Sequence, residues 1–214
     1  MKHASSHTVL PYVLWSAFWP ALYIGLLGCG LDAGKSPGGR SASGHLASLS
    51  GEGKMTIQIT SSAFAQGHAI PKKYTGDGVD VSPPLSWSAI PEGTKELALI
   101  CDDPDAPQAE PWVHWVIYKI PAEAKGLPEG APRKSRLKEP HGAVQGKNSW
   151  PASEAIGYRG PYPPQGHGVH HYYFKLYALD APLDEEPGLD KKALIEKIKA
   201  HVLTEGVLMG TYER

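Results

Sequence analysis

After Lys54 the chain settles into short runs that alternate apolar and polar residues with a period of two, the pattern of strands burying one face. "MTIQIT" sets Met55, Ile57 and Ile59 on one side, and "ELALIC" (96–101) is so nearly continuous in apolar residues that it reads as a buried strand. "WVHWVIYKI" (112–120) divides Val113, Trp115, Ile117 and Lys119 from Trp112, His114, Val116 and Tyr118. "HYYFKLYAL" (171–179) divides Tyr172, Phe174, Leu176 and Ala178 from Tyr173, Lys175, Tyr177 and Leu179. Turn-rich segments such as "YTGDGVDVSPP", "DDPDAPQAEP" and "GPYPPQG" join the runs. The pattern predicts an all-β dominated fold, an antiparallel two-sheet β-sandwich. One stretch departs from it. "LDKKALIEKIKAHVL" carries Leu194, Ile195, Ile198 and Val202 at helical spacing behind Asp190 as N-cap. It predicts one or two peripheral helices near the C-terminus, stopped by Gly206, with "VLMGTYER" as a last short element.

The first part of the chain follows another logic. Thr8–Gly28 is hydrophobic behind Lys2 and ends "LLGC", the layout of an export signal. That ending resembles a bacterial lipobox with Cys29 as the lipidated residue, although Leu27 is bulky for such a motif. A plain cleaved signal and an uncleaved anchor stay open, since about 20 apolar residues span a bilayer; Pro20 and the scattered Trp residues weigh against the anchor. All three readings put the domain outside the cytoplasm, on the periplasmic face or outer membrane as a lipoprotein, or else secreted or held in the inner membrane. Residues 30–54 are Gly- and Ser-rich and read as a flexible tether. The expected organisation is therefore 1–29 export segment, 30–54 tether and 55–214 folded domain.

Composition narrows the partners. With 214 residues and 41% hydrophobic content there is enough chain for one sizeable core. A formal charge of -1 argues against nucleic acid. Of the two cysteines, Cys101 ends a buried strand, and lipidation of Cys29 would prevent their pairing. The basic stretch "PRKSRLKEPH" (132–141) reads as a solvated loop. Oligomeric state is not legible, a homodimer being one option.

Three polar clusters carry the candidate chemistry. "CDDPDAP" places Asp102, Asp103 and Asp105 where a buried strand ends, as either a pre-organised rim or an ordinary proline-rich turn. His114 lies on an aromatic strand. "QGHGVHHYY" offers His167, His170, His171 and Tyr172, with Gly166 and Gly168 allowing close backbone approach. If the strands 112–120 and 170–179 are neighbours, His114 and His170 face one cavity beside Asp103. A carboxylate there would favour the protonated, anion-binding form of a histidine. The histidine inventory also matches zinc or non-haem iron sites, but His170 and His171, adjacent on a strand, point to opposite faces. H-E-x-x-H, paired C-x-x-C, G-x-S-x-G and the phosphate-loop motif are missing from the sequence. No cofactor or metal is expected.

Taken in order, "DDPDAP", "WVHW" and "GPYPPQGHGVHHYYFKLYALD" resemble the phosphatidylethanolamine-binding protein family, in its bacterial, Raf kinase inhibitor-like branch. "GKNSW" and "HVLTEGVLMGTYER" extend the likeness, which runs from about Met55 to the end. The resemblance implies a β-sandwich with a small anion pocket made by Asp103, His114, His170 and Tyr172. It implies a rim drawn from Asp105, Pro107, Trp112, Tyr162, Pro164, Gly166, His167 and Gly168, with His171 facing away. Tyr162 stands where the family usually has a small residue. The chain shows no match to the long C-terminal extension of animal members, so kinase inhibition is not implied. A cis peptide is expected at Glu110–Pro111 or Ala106–Pro107. The resulting expectation is an exported, lipid-anchored and non-catalytic domain that binds a small anion or phospholipid head group. A metal-dependent hydrolase using His114, His170 and Asp103 is the alternative.

Overall fold

The strand predicted from "ELALIC" lies at the centre of the larger sheet. The computed structural model describes residues 56–214, so the expectations for 1–29, for the 30–54 tether and for Cys29 lie outside the described residues. In chain order the strands are β1 (Gln58–Thr60), β2 (Leu85–Ser88), β3 (Glu96–Asp103), β4 (Trp112–Pro121), β5 (Gly126–Leu127), β6 (Val144–Gln145) and β7 (His170–Leu179). The helix α1 (Lys191–Ile198) and the final strand β8 (Val202–Tyr212) follow. They form a three-stranded sheet ordered β1-β2-β5 and a five-stranded sheet ordered β6-β4-β3-β7-β8, with every pairing between these strands antiparallel. The two-sheet architecture is the one the alternation predicts.

β3 is apolar on both faces because both faces are covered. Leu97, Leu99 and Cys101 join Trp87, Trp115, Phe174 and Leu208 in the main core cluster, to which both sheets contribute. Ala98 and Ile100 join Val116, Tyr118, Leu194 and Ile198 in a second cluster on the helix side. Burial of this kind contributes roughly 1.5–3 kcal/mol for each large side chain. The helix is capped as predicted: Ala193 N–H donates to Asp190 Oδ1 at 2.8 Å. It is tied to the sheet by Asp102, whose buried carboxylate accepts from Lys175 at 2.9 Å and Lys191 at 2.6 Å.

Four expectations are corrected. The helix ends at Ile198, and Val202 opens an 11-residue strand in place of a short terminal element. Gly206 does not stop a helix; it lies within β8, where any Cβ would overlap the Ile57 carbonyl oxygen. Strands β4 and β7 are not neighbours, because β3 runs between them. The cis peptide among the described residues is Glu139–Pro140, so Glu110–Pro111 and Ala106–Pro107 are trans. The turn after β3 closes instead through an Asp105 N–H bond to the Asp103 side chain and a Gln108 N–H bond to the Ala106 carbonyl.

Candidate functional site

The site is assembled at one end of the five-stranded sheet, where β4, β3 and β7 bring in His114, Asp103 and His170 with Tyr172. Pairing explains how His114 gets there. Cys101 lies opposite Trp115 while Asp102 lies opposite Val113, so His114 is the extra residue of a β-bulge. The bulge breaks strict alternation: Val113 packs on the helix side with Val116 and Tyr118, whereas Trp115 packs in the core between the sheets. His114 is thereby aimed at Tyr172, the two rings meeting edge-on with centroids 5.0 Å apart. The bulged backbone is satisfied from outside the sheet. Arg159 N–H donates to the His114 carbonyl at 3.0 Å, and His114 Nδ1 donates to the Arg159 carbonyl at 2.6 Å.

That last bond fixes the tautomer. A carbonyl can only accept, so His114 Nδ1 carries the proton and Nε2 is the nitrogen left for a ligand. Burial pushes the His114 pKa down to about 4, against the opposing pull of the Arg159 carbonyl and the Asp103 charge. The expectation of a charged, anion-attracting imidazole is corrected at this position: desolvation outweighs the carboxylate, and free His114 is neutral.

Asp103 uses its two carboxylate oxygens separately. Its Oδ1 accepts Asp105 N–H at 2.8 Å, closing an Asx-type turn, and its Oδ2 accepts His170 Nδ1 at 2.7 Å. The adjacent histidines split as strand geometry requires. His170 is buried against Asp103, while His171 is half-exposed and pairs with Asp105 at 2.7 Å. Burial raises the Asp105 carboxyl, but the bonds from His171 outweigh it and leave it below its ordinary value. Two Asp–His pairs thus clamp the loop after β3 to the start of β7.

These groups border a cavity of about 230 Å³. Asp103, His114, His170 and Tyr172 all line it, with Pro107, Trp112, Tyr162 and Pro164 of the expected rim. Asp105, Gly166, His167 and Gly168 do not. Asp105 is drawn aside by His171, and His167 Nδ1 lies 2.7 Å from His170 Nε2. The structure adds Ala106, Gln108, Pro163 and Trp150. Trp150 ends "GKNSW" and packs edge-on against both Trp112 and His114, at 5.2 and 5.1 Å. Asn148 holds it there, accepting Trp150 N–H and donating to the Glu154 and Gly157 carbonyls. Tyr162 is 54% exposed and lies beneath the Arg214 guanidinium at 3.6 Å, an aromatic lip on the mouth.

The Tyr172 hydroxyl is buried without a hydrogen-bond partner of good geometry, although the Asp103 carboxylate lies near enough to act on it. Its pKa is raised by burial first and by the Asp103 charge next, so it is a donor at any ordinary pH. Neither Lys nor Arg lines the cavity. Among the described residues no three His, Cys, Asp or Glu side chains are grouped so that they could hold a metal ion.

Comparisons with known proteins identify the family. The family model described as phosphatidylethanolamine-binding protein matches residues 60–213. A UPF0098 protein of Methanothermobacter thermautotrophicus is 50% identical over 158 residues, covering 74% of this chain and 99% of the relative. The crystal structure of a phosphatidylethanolamine-binding protein homolog from Chlamydia trachomatis is 41% identical, with a TM-score of 0.65 over 75% of this chain and 99% of the other. The E. coli YbcL structure, described as a new member of the mammalian family, is 34% identical, with a TM-score of 0.68 over 74% of this chain and 98% of the other. With its fold, the order of its motifs and the family match all in agreement, the chain belongs to the phosphatidylethanolamine-binding protein family.

Proposed function

We propose that the domain is a non-catalytic receptor for a small phosphate ester of the phospholipid head-group type, bound in the cavity of Asp103, His114, His170 and Tyr172. The observation that carries the reading is the Tyr172 hydroxyl, a buried donor with no partner at the cavity wall. Such a group costs stability unless something pairs with it. Trp112 and Trp150 offer apolar and π surface to the rest of a head group, including an ammonium. Membership of a family of ligand-binding proteins supports the same reading.

The cavity wall sets the terms of binding. Tyr172 donates, neutral His114 accepts through Nε2, Asp103 is a carboxylate, and no lining side chain is a permanent cation. A fully ionised phosphate would therefore meet an acceptor and a negative charge. A proton must come with the ligand, either on a phosphate oxygen, whose second pKa is about 6, or on His114 Nε2. Affinity should rise as pH falls, by up to about tenfold per unit. Titration of phosphoethanolamine followed on the histidine side-chain ¹⁵N resonances tests this. A His114 shift with tighter binding at pH 5.5 than at pH 8 is expected; no His114 shift at millimolar ligand at either pH would overturn the reading.

For location, we propose export and anchoring through a lipid on Cys29, with residues 30–54 as the tether. The "LLGC" ending behind an apolar segment supports it. Mass spectrometry of the protein from its native membrane should find an N-terminus at a diacylated Cys29; an unmodified N-terminus elsewhere would refute it.

A further inference from the structure

We propose that His167 is a displaceable stopper: its imidazole occupies the His170 ring nitrogen that a phosphate-ester oxygen would otherwise take. The proposal rests on the cavity being the ligand site. His170 is 1% exposed and both of its nitrogens are engaged, Nδ1 with Asp103 Oδ2 and Nε2 with His167 Nδ1, each at 2.7 Å. The carboxylate can only accept, so Nδ1 carries the proton and fixes the ring, leaving Nε2 as the nitrogen available for exchange. As the molecule stands, His170 borders the cavity with no free nitrogen to offer it.

The residue that fills Nε2 is built to leave. His167 is exposed, whereas His170 and Asp103 are buried. It sits between Gly166 and Gly168, at φ +72° and +88°, and the Cβ position of each glycine faces open space within 4 Å. The base of this loop is pinned separately: Gly166 N–H donates to the Arg214 carbonyl at 3.1 Å, and His167 N–H donates to the Pro164 carbonyl at 3.2 Å. The side chain can swing outward on its own χ angles while the turn beneath it stays closed. With His167 withdrawn, His170 Nε2 is open to a third polar contact beside Tyr172 Oη and His114 Nε2. Because Nδ1 keeps its proton for Asp103, Nε2 accepts from a protonated phosphate oxygen, or takes up a proton of its own to donate to an ionised one. Ligand capture is then an exchange, in which the bond between His167 and His170 is lost and one between the ligand and His170 is formed.

Removing the stopper should therefore tighten binding. Calorimetric titration of phosphoethanolamine into the wild-type protein, His167→Ala and His167→Gln tests it. His167→Ala is expected to bind roughly fivefold more tightly, the factor that one net hydrogen bond represents. His167→Gln, whose amide can still donate to His170, should stay closer to wild type. The His170 Nε2 resonance of the free protein should move in the Ala variant. Wild-type binding with equal or weaker affinity in His167→Ala would overturn the stopper alone, making His167 a bystander or a ligand contact. Absence of binding in both proteins would overturn the cavity reading and the stopper with it.

Discussion

The Tyr172 hydroxyl is the sharpest residue-scale clue, because folding gains nothing visible from it. A buried donor without a partner costs about 1–3 kcal/mol, and the ring alone would serve the core contacts with His114 and its neighbours. Tyr172→Phe keeps that ring. The free protein should be as stable as the wild type, or more stable by up to about 1 kcal/mol. Its affinity for phosphoethanolamine should fall roughly tenfold, the usual loss for a ligand hydrogen bond. Urea unfolding and calorimetry on the same samples check both halves. Lower stability with unchanged affinity would make the hydroxyl structural. Each residue of the cavity then has its own logic: Tyr172 waits for a partner, His114 is held neutral by burial, and His170 is kept occupied.

At the scale of elements, alternation made most of the sheet legible. The "HYYFKLYAL" run delivers Tyr172, Phe174, Leu176 and Ala178 to the core as its pattern says, and the splitting of His170 from His171 follows from the same period. Strand order was not legible. Period-two patterning tells which face a residue uses but not which strand lies alongside, so β3 between β4 and β7 could only come from the fold. The bulge at His114 was hidden as well, because one inserted residue swaps faces without changing composition. The boundary after α1 failed for a different reason. Ile198 and Val202 fit a helical stripe, yet Val202 pairs with Leu179, since β8 buries a long edge of the sheet that the helix could not cover. Trp150 carried a signal in "GKNSW", but its approach to His114 depends on Asn148 folding a loop far along the chain.

For the whole molecule, burying a histidine in the core couples its protonation to acid stability. Histidine ordinarily titrates near pH 6.5, and His114 is pushed down to about 4 in the fold. The unfolded chain therefore takes up this proton more readily than the native one. Stability contributed by neutral His114 is complete above about pH 6.5 and drains as pH falls toward 4, by about 3 kcal/mol in total. Under the proposed function, a bound phosphate would reverse the sense, since its charge would favour the protonated ring and raise the His114 pKa in the complex. Urea unfolding of the free protein should show stability declining between pH 6.5 and 4.5. His114→Gln, which can still donate to the Arg159 carbonyl, should flatten that decline. Phosphoethanolamine at about a hundred times its Kd should restore about 2.7 kcal/mol. Identical pH profiles for wild type and His114→Gln would remove His114 from the account, whereas a ligand that stabilises more at pH 8 than at pH 5.5 would break the link between proton and phosphate. Both effects have one origin: β4, β3 and β7 lie side by side at this end of the sheet, and the fold there buries the His114 ring.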